Sequence, residues 1–142
     1  MIGEFFDWLR DVRRRRAWSA DLATGRRGED LAHRFLRKSG FTIVARNYRL
    51  ASGDAEADII GIQGDDLVIV EVKTRTSAAF GPPDRAVGEE KRAHLVRVAR
   101  AYAKKTETSW EHVRFDMVTV ILNSPPEIEH YRDAFRPAMR RW

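Results

Sequence analysis

The sequence predicts an α/β fold in which a mixed β-sheet is flanked by helices, in the order α-α-β-β-β-α-β-β. Apolar residues recur at helical spacing in three segments, whereas five shorter segments are rich in β-branched and aromatic residues. A mixed sheet between helices is the economical way to bury all of these apolar faces. No repeat or flexible linker divides the 142 residues, and this length suits one domain with a single core.

Three segments are predicted to be helices: residues 3–17, 19–38 and 88–105. The second segment carries Leu31, Phe35 and Leu36 on one side, at the spacing that places them on one face of a helix. Gly40 follows it, and a glycine just after the last helical residue is a common stop signal. This helix should therefore pack its apolar stripe against the sheet.

Five segments are predicted to be strands: residues 41–49, 57–62, 67–73, 114–122 and 128–132. The turn sequence Gln63-Gly-Asp-Asp66 separates the second from the third, so we expect these two strands to form a hairpin. Residues 50–55 form a loop before them. Gly81-Pro82-Pro83 interrupts regular structure before the third helix, and Pro125-Pro126 does so before the last strand.

Composition narrows the class of protein. The chain has no cysteine, which excludes a disulfide framework and thiolate metal sites and suits a reducing compartment. No apolar run approaches the length of a membrane span. The N-terminus runs apolar first and arginine afterwards, which is the reverse of a secretory signal. We therefore expect a cytoplasmic protein with no stable membrane association.

The net charge of +5 is unevenly distributed along the chain. Residues 1–50 carry 12 Lys and Arg against 6 Asp and Glu, whereas residues 51–142 carry 14 against 15. A basic N-terminal third beside a near-neutral remainder is typical of a surface that faces a polyanion. The charge alone leaves two interpretations open: a nucleic-acid partner, or the surface Arg and Lys that are common in proteins of every class.

The first residues are set apart by their charge pattern. Residues 1–18 are assigned to an N-terminal basic amphipathic helix, and residues 19–142 to a single domain. The Arg13–Arg16 run has three open interpretations: a nucleic-acid contact, a solvated helix end, or, with Phe5 and Trp8 beside it, a helix lying on a membrane surface.

Charged residues interrupt the most apolar predicted strand. It ends in Glu71 and Lys73, which share one face because side chains alternate along a strand. Asp58 lies on the preceding strand, so a hairpin would bring two carboxylates together near the open strand ends. Two interpretations stay open. One is an ion pair of Lys73 with Glu71 or Asp58 at a solvated sheet edge. The other is a site for Mg²⁺, which prefers oxygen ligands.

A second charged motif, Gly25-Arg-Arg-Gly-Glu29, lies near the start of the second predicted helix. Backbone N–H groups there, together with Arg26 and Arg27, would suit a phosphate. Glu29 could add a third carboxylate to the pair on the hairpin. The alternative is a loop-to-helix junction with an exposed acidic first turn, which the helix dipole favours.

The remaining polar candidates have simpler expected roles. Asp116 is expected to pair with Arg114 or Arg49 for structural reasons. The four histidines show no metal-ligand spacing, so a surface or packing role is expected for each: His33, His94, His112 and His130.

These motifs belong to an ordered series along the chain. The series is Gly28-Glu29 with Ala32, Asn47-Tyr48-Arg49, Glu56-Ala-Asp58-Ile-Ile, Val70-Glu-Val-Lys-Thr-Arg75, Phe80-Gly81-Pro82, Lys91, Arg114-Phe-Asp116, and His130 with Ala134-Phe135. Over residues 22–136 it closely resembles the YraN-like family of small bacterial proteins. That family is similar to the archaeal Holliday-junction resolvases, within the restriction-endonuclease-like PD-(D/E)xK superfamily. One departure is Ala55-Glu56-Ala57-Asp58, where the family usually has Gly-Glu-Ile-Asp.

The resemblance implies a restriction-endonuclease-like core with a catalytic site. Asp58, Glu71 and Lys73 would occupy the superfamily's catalytic positions, and Glu29 that of the helix-borne acid of the resolvases. Asp58, Glu71 and the backbone carbonyl of Val72 would bind Mg²⁺ or Mn²⁺, while Lys73 would orient a water or stabilise the transition state. Five cations are candidate nucleic-acid contacts: Arg26, Arg27, Arg49, Arg75 and Lys91.

Two functions of different class remain open. The first is a metal-dependent endonuclease that hydrolyses phosphodiester bonds in DNA, branched or flapped by analogy with the resolvases, and a homodimer if it resolves symmetric junctions. The second is a nucleic-acid-binding module that has the nuclease fold without turnover. The presence of Asp58, Glu71 and Lys73 favours the first. A protein-interaction adaptor, a third possibility, predicts no salt-sensitive affinity for nucleic acid.

Overall fold

The structure, a computed structural model, describes residues 18–76 and 88–137. A mixed five-stranded sheet, ordered β1-β2-β3-β4-β5, carries one helix on each face. In chain order the elements are α1 (Trp18–Lys38), β1 (Thr42–Arg49), β2 (Glu56–Gln63), β3 (Asp66–Arg75), α2 (Glu89–Lys105), a 3₁₀ turn (Trp110–His112), β4 (Val113–Ile121) and β5 (Glu127–Tyr131). Strands β3 and β4 are parallel, and every other neighbouring pair is antiparallel.

The central strand β3 is buried along most of its length because it has a neighbour on each side and a helix over each face. Its connection to β2 is the predicted hairpin, in which Gln63 pairs with Asp66 across two loop residues. Gly64 adopts a φ of 59°, the left-handed conformation that such a tight turn requires and that glycine adopts without steric cost. The turn therefore fixes the register of β3 against β2.

Helix α1 covers one face of the sheet. Its residues Ala32 and Leu36 are fully buried and pack with Val68, Val70 and other aliphatic side chains of the strands. The approach is closest at Gly28, where a Cβ atom would lie 1.9 Å from Oγ1 of Thr74 on β3. A side chain at position 28 would therefore collide with the sheet, and glycine is required there by close packing rather than by φ.

Helix α2 covers the opposite face. Leu95, Val98 and Ala99 are buried there against Ile69 of β3 and Phe115 of β4. This gives the predicted two-layer burial, with one apolar cluster on each side of the sheet. The residues of β3 with odd numbers face α2, and those with even numbers face α1, as strand alternation requires.

The predicted order of elements is confirmed throughout the described residues, with ends that differ by one or two positions. The mixed sheet flanked by helices is also confirmed. The predicted helix at residues 3–17 and the Gly81-Pro82-Pro83 interruption lie outside the described residues. Among the helices that are described, none is both long and apolar enough to cross a membrane.

Candidate active site

The site forms where β2 and β3 diverge. Their ladder ends with the pair Ile59–Val70, and the next positions in register are Asp58 and Glu71. Beyond this point the N–H of Val72 no longer donates to β2 backbone and instead donates to Oδ2 of Asp58 at 2.8 Å. The Asp58 carboxylate is thus held in place by the strand that carries Glu71. The sequence prediction that these two acids lie on adjacent strands near their open ends is borne out by this geometry.

Glu71 is an ionisable group in a closed environment, with 2% of the residue exposed. Burial raises the pKa of its carboxyl well above the usual range. The nearby Asp58 raises this pKa further, by charge and by a side-chain hydrogen bond, whereas Lys91 and Lys73 lower it. Oε1 of Glu71 is buried and has no hydrogen-bond partner among the described residues. This oxygen is therefore a desolvated acceptor, and the Nζ of Lys91 lies 3.6 Å from it.

Two lysines complete the charge balance around Glu71. Lys73, only 1% exposed, lies two residues along β3 and on the same face of the sheet. Lys91 is on α2, and its Nζ lies 3.6 Å from Oε1 of Glu71. Glu71 and Lys73 are both buried, so the predicted alternative of an ion pair at a solvated sheet edge does not describe this cluster. Lys91 is not an ordinary solvated helix lysine, since only 14% of its side chain is exposed.

Glu29 approaches the same acids from the helix on the other face. Burial, and then the charge of Asp58, raise the pKa of its carboxyl to about 7. Hydrogen bonds from Asn47 and Arg46 act in the opposite direction. Arg46 Nη2 lies 3.6 Å from Oε1 of Glu29, and Nη1 of the same guanidinium lies 2.7 Å from Oδ1 of Asp30. The structure brings Glu29 into electrostatic contact with Asp58 and pairs it with Arg46.

Arg46 and Asn47 were not predicted as site residues. Asn47 lies opposite Asp58, between the register pairs Arg46–Ile59 and Tyr48–Ala57, so one row crosses three strands through Asn47, Asp58 and Glu71. It has a φ of 49° inside a strand, a conformation in which asparagine is enriched among non-glycine residues. The Asn47-Tyr48-Arg49 motif could have drawn attention to Asn47. Its hydrogen bond with Glu29 could not have been predicted, because Glu29 lies on α1, far away in the sequence.

The donor set can be tested for a divalent cation. Asp58 and Glu71 present oxygen ligands, as Mg²⁺ and Mn²⁺ prefer, and a cation would relieve the mutual repulsion that raises the pKa of Glu71. The unpartnered Oε1 of Glu71 is the specific observation that fits. Across residues 18–76 and 88–137, however, no three His, Cys, Asp or Glu side chains are already grouped as a metal cluster. Two carboxylates with the Val72 carbonyl therefore remain the candidate ligands.

The predicted nucleic-acid contacts lie in different environments. Arg26 and Arg27 are exposed on α1. The prediction that their motif lies at the start of a helix, with backbone N–H groups free for a phosphate, is wrong, because α1 begins at Trp18 and residues 25–29 lie in its interior. Arg49 is exposed but pairs with Glu56 at 2.7 Å. Arg75 ends β3 on the face that carries Glu71 and Lys73, and its Nε is buried without a hydrogen-bond partner among the described residues. Of the five, Lys91 contacts an acid of the site, and Arg75 shares the face of β3 that carries Glu71.

Asp116 has the predicted structural role. Its carboxylate, fully buried, accepts hydrogen bonds from Arg114 at 2.8 Å and from the backbone N–H of Asp133 at 3.0 Å, and lies 2.7 Å from Nε2 of His130. The pairing with Arg114 is confirmed. The His130 ring packs edge-on against Phe35 and Phe41, which agrees with the predicted packing role. This network lies on the α1 face of the sheet, away from the Glu71 cluster.

Similar proteins come from several bacteria. The model of the uncharacterised protein family UPF0102 matches residues 28–120. A UPF0102 protein of Solibacter usitatus is 49% identical over 135 residues, which cover 95% of this chain and all of that protein. Others from Koribacter versatilis and Rhodococcus opacus are 50% identical over 115 residues and 42% identical over 117 residues. These matches cover 80% of both chains for the former, and 81% of this chain and 98% of the relative for the latter. The matched region contains every acid and lysine of the candidate site.

Proposed function

We propose that this chain, which belongs to the uncharacterised protein family UPF0102 (the YraN-like family), is a metal-dependent nuclease that hydrolyses phosphodiester bonds in DNA. The observation that carries the proposal is the divergence of β2 from β3 at Asp58 and Glu71. There a strand end holds two carboxylates together, one of them fully buried, beside Lys73. Structural ion pairs are seldom built with a buried acid directly beside a second, partly buried acid, because their repulsion costs stability.

The bound cation would be Mg²⁺ or Mn²⁺, and it would lower the pKa of a water and neutralise charge on the scissile phosphate. Asp58 and Glu71 would hold it, with the carbonyl of Val72 as a third ligand. The hydrogen bond from Val72 N–H fixes the orientation of Asp58 before any cation arrives. This preorganisation reduces the cost of assembling the site.

Lys73 is proposed to orient the attacking water and to stabilise negative charge in the transition state. The carboxylates of Asp58 and Glu71 favour the charged form of a nearby amine, so an electrostatic role suits it better than that of a base. Lys91 neutralises Glu71 from α2, and Arg75 lies on the same face to contact a phosphate. Glu29, with a pKa raised to about 7, is the candidate to bind the water shell of the cation or accept a proton.

A nuclease fold that binds nucleic acid without turnover is the alternative. The Lys91–Glu71 contact at 3.6 Å favours it, because an amine already supplies positive charge where the cation would bind. Binding to every substrate without cleavage in Mg²⁺ or Mn²⁺ would select this alternative.

The test is a cleavage assay on single-stranded, duplex, flapped and four-way-junction DNA and on RNA, with either metal. We expect Asp58→Asn and Lys73→Met to reduce the cleavage rate at least about a hundredfold. Asp65→Asn is the matched control, since Asp65 is exposed at the hairpin tip at the far end of β2 and β3. Circular dichroism should show that all variants fold. Cleavage that survives in both site variants would place the activity elsewhere.

The substrate and assembly are tested separately. Preference for a four-way junction over a duplex would support the analogy with the resolvases, and a resolvase of symmetric junctions should sediment as a dimer. We expect the protein to act in the cytoplasm.

A further inference from the structure

The solvent-facing side of α1 carries a row of cations. Its exposed members between residues 22 and 38 are Arg26, Arg27, Arg34, Arg37 and Lys38. They recur at helical spacing opposite the buried side of α1, so they form one continuous surface, which we call the basic face. None of the five forms an ion pair with another described residue. Asp30, the acid among them, pairs with Arg46 at 2.7 Å.

A polar cleft of about 390 Å³ adjoins the C-terminal half of the basic face. It is lined by His33, Arg37, Phe41, Thr42 and Ile43. Nδ1 of His33 is buried and has no hydrogen-bond partner among the described residues. His33 and the Arg37 guanidinium line one cleft, and such a pair of side chains suits a phosphate group, because charge-assisted hydrogen bonds to phosphate are short and strong.

The electrostatic environment of His33 agrees with an anion site. Burial lowers the pKa of its imidazole, and the cations Arg46 and Arg37 lower it further, whereas Asp30 raises it. Arg46 and Arg37 thus place positive charge near His33, which a bound anion would neutralise.

We propose that the basic face of α1 and this cleft bind the phosphate backbone of duplex DNA beyond the candidate active site. From Arg27 to Lys38 the helix rises about 16 Å, and duplex DNA carries a phosphate charge about every 1.7 Å of its axis. Phe35 of α1 packs on the core and Phe41 of the cleft is only 4% exposed, so neither phenyl ring offers a stacking surface for unpaired bases. This favours a duplex over a single strand. The inference rests on the nucleic-acid part of the proposed function and is independent of cleavage.

The test is the salt dependence of binding to a fluorescent 20-base-pair DNA duplex in EDTA, where metal-dependent cleavage cannot proceed. We expect Arg34→Gln/Lys38→Gln to weaken binding about 10- to 30-fold at 150 mM salt and to reduce the slope of log K against log [salt] by about two. Lys104→Gln/Lys105→Gln, at the exposed end of α2, removes the same charge and should leave the slope nearly unchanged. Equal effects of both pairs, no effect of either, or no binding by the parent chain would overturn the proposal.

An NMR pH titration gives a second readout. On adding the duplex to the whole chain, the pKa of His33 should rise, because phosphate would stabilise the imidazolium. His112, beside Asp66 at the hairpin end of the sheet, is the internal control and should not respond. An unchanged His33 would exclude the cleft. Binding that depends on the basic face, in a protein that cleaves nothing, would uphold the inference and reject the nuclease proposal.

Discussion

The ionised carboxylate of Glu29, a candidate site residue, lowers the stability of the fold. Its pKa in the folded state is about 7, against an ordinary value of 4.5, because it is buried close to Asp58. A carboxyl whose folded pKa is raised binds its proton more tightly when folded, so its ionisation destabilises the fold as pH rises from 4.5 through 7. The stability that the protonated Glu29 carboxyl contributes at low pH is therefore lost at neutral pH, unless a bound cation stabilises the ionised carboxylate.

We therefore expect Glu29→Gln to stabilise the metal-free protein at pH 8 by about 1–3 kcal/mol and to have little effect at pH 4.5. Urea unfolding at the two pH values measures this difference. Glu56→Gln, on β2, is the matched control and should not give the same pH-dependent gain. A loss of stability at pH 8 in Glu29→Gln would show that the ionised carboxylate stabilises the fold through Arg46.

Asp116 has the opposite effect, because its ionised carboxylate stabilises the fold. Burial alone would raise the pKa of its carboxyl, but hydrogen bonds from His130, Arg114 and the backbone of Asp133 lower it below the ordinary value of 3.8. A lowered folded pKa adds stability that is fully present above pH 3.8 and is lost as the pH falls below it.

We expect Asp116→Asn to cost about 3 kcal/mol at pH 7, because it removes the closest anion of the half-buried Arg114 guanidinium and leaves Asp66, at 3.4 Å, as its remaining ion-pair partner. The cost should shrink as the pH falls below 4, where the parent chain also loses the ionised form. Chemical denaturation of both proteins between pH 3 and 7 tests this. A cost that does not change with pH would mean that packing, rather than charge, makes Asp116 important.

At the scale of elements, the distance between α1 and β3 sets the position of Glu29. Gly28 lies against Thr74, and Thr74 follows Lys73, so the helix-borne acid is tied to the strand that carries the other site residues. A Cβ at position 28 would meet three side-chain atoms of Thr74 at 1.9–2.7 Å. Contacts this short require the helix or the strand to move.

Gly28→Ala should therefore destabilise the fold by about 2 kcal/mol or more, even though alanine is favoured over glycine in a helix by about 1 kcal/mol. Gly25→Ala is a direct control on the same helix, because a Cβ there meets nothing within 4 Å, and it should stabilise by about 0.5–1 kcal/mol. Thr74→Ala should restore part of the loss in Gly28→Ala. Thermal unfolding of the four proteins gives the comparison, and equal effects at positions 25 and 28 would contradict it.

The helices and strands could be predicted from the sequence because the residue patterns that specify them are local. The hairpin around Gly64, the apolar stripe of α1 and the strand ending in Glu71 and Lys73 each depend on residues within one segment. The Arg46 and Asn47 contacts with Glu29 could not be read from the sequence, since they depend on how α1 crosses β1. Ala55, at the position where the family resemblance implies glycine, is buried in the apolar cluster under α2, so the segment just before β2 accommodates a methyl group.

At the scale of the whole molecule, acids and cations from both helices and from the sheet lie around the point where β2 and β3 diverge. The acids are Glu29, Asp58 and Glu71, and the cations are Arg46, Lys73 and Lys91. Asp58 and Glu71 repel each other at the centre of this arrangement, and Lys91 offsets part of the repulsion. A folded state that stores such repulsion should bind a divalent cation more tightly than the unfolded chain does. Binding to the folded state alone stabilises it by RT ln(1 + [L]/Kd), about 1.4 kcal/mol at ten times Kd.

We accordingly expect Mg²⁺ or Mn²⁺ to raise the melting temperature of the parent chain by about 3–6 °C at such concentrations, beyond the effect of NaCl at equal ionic strength. Glu71→Gln should lose most of the metal response, because it removes one of the two carboxylate ligands. Asp65→Asn should respond like the parent chain. A metal-induced rise of the same size in Glu71→Gln would place the cation away from this site, and the nuclease proposal would then lose its metal ligands.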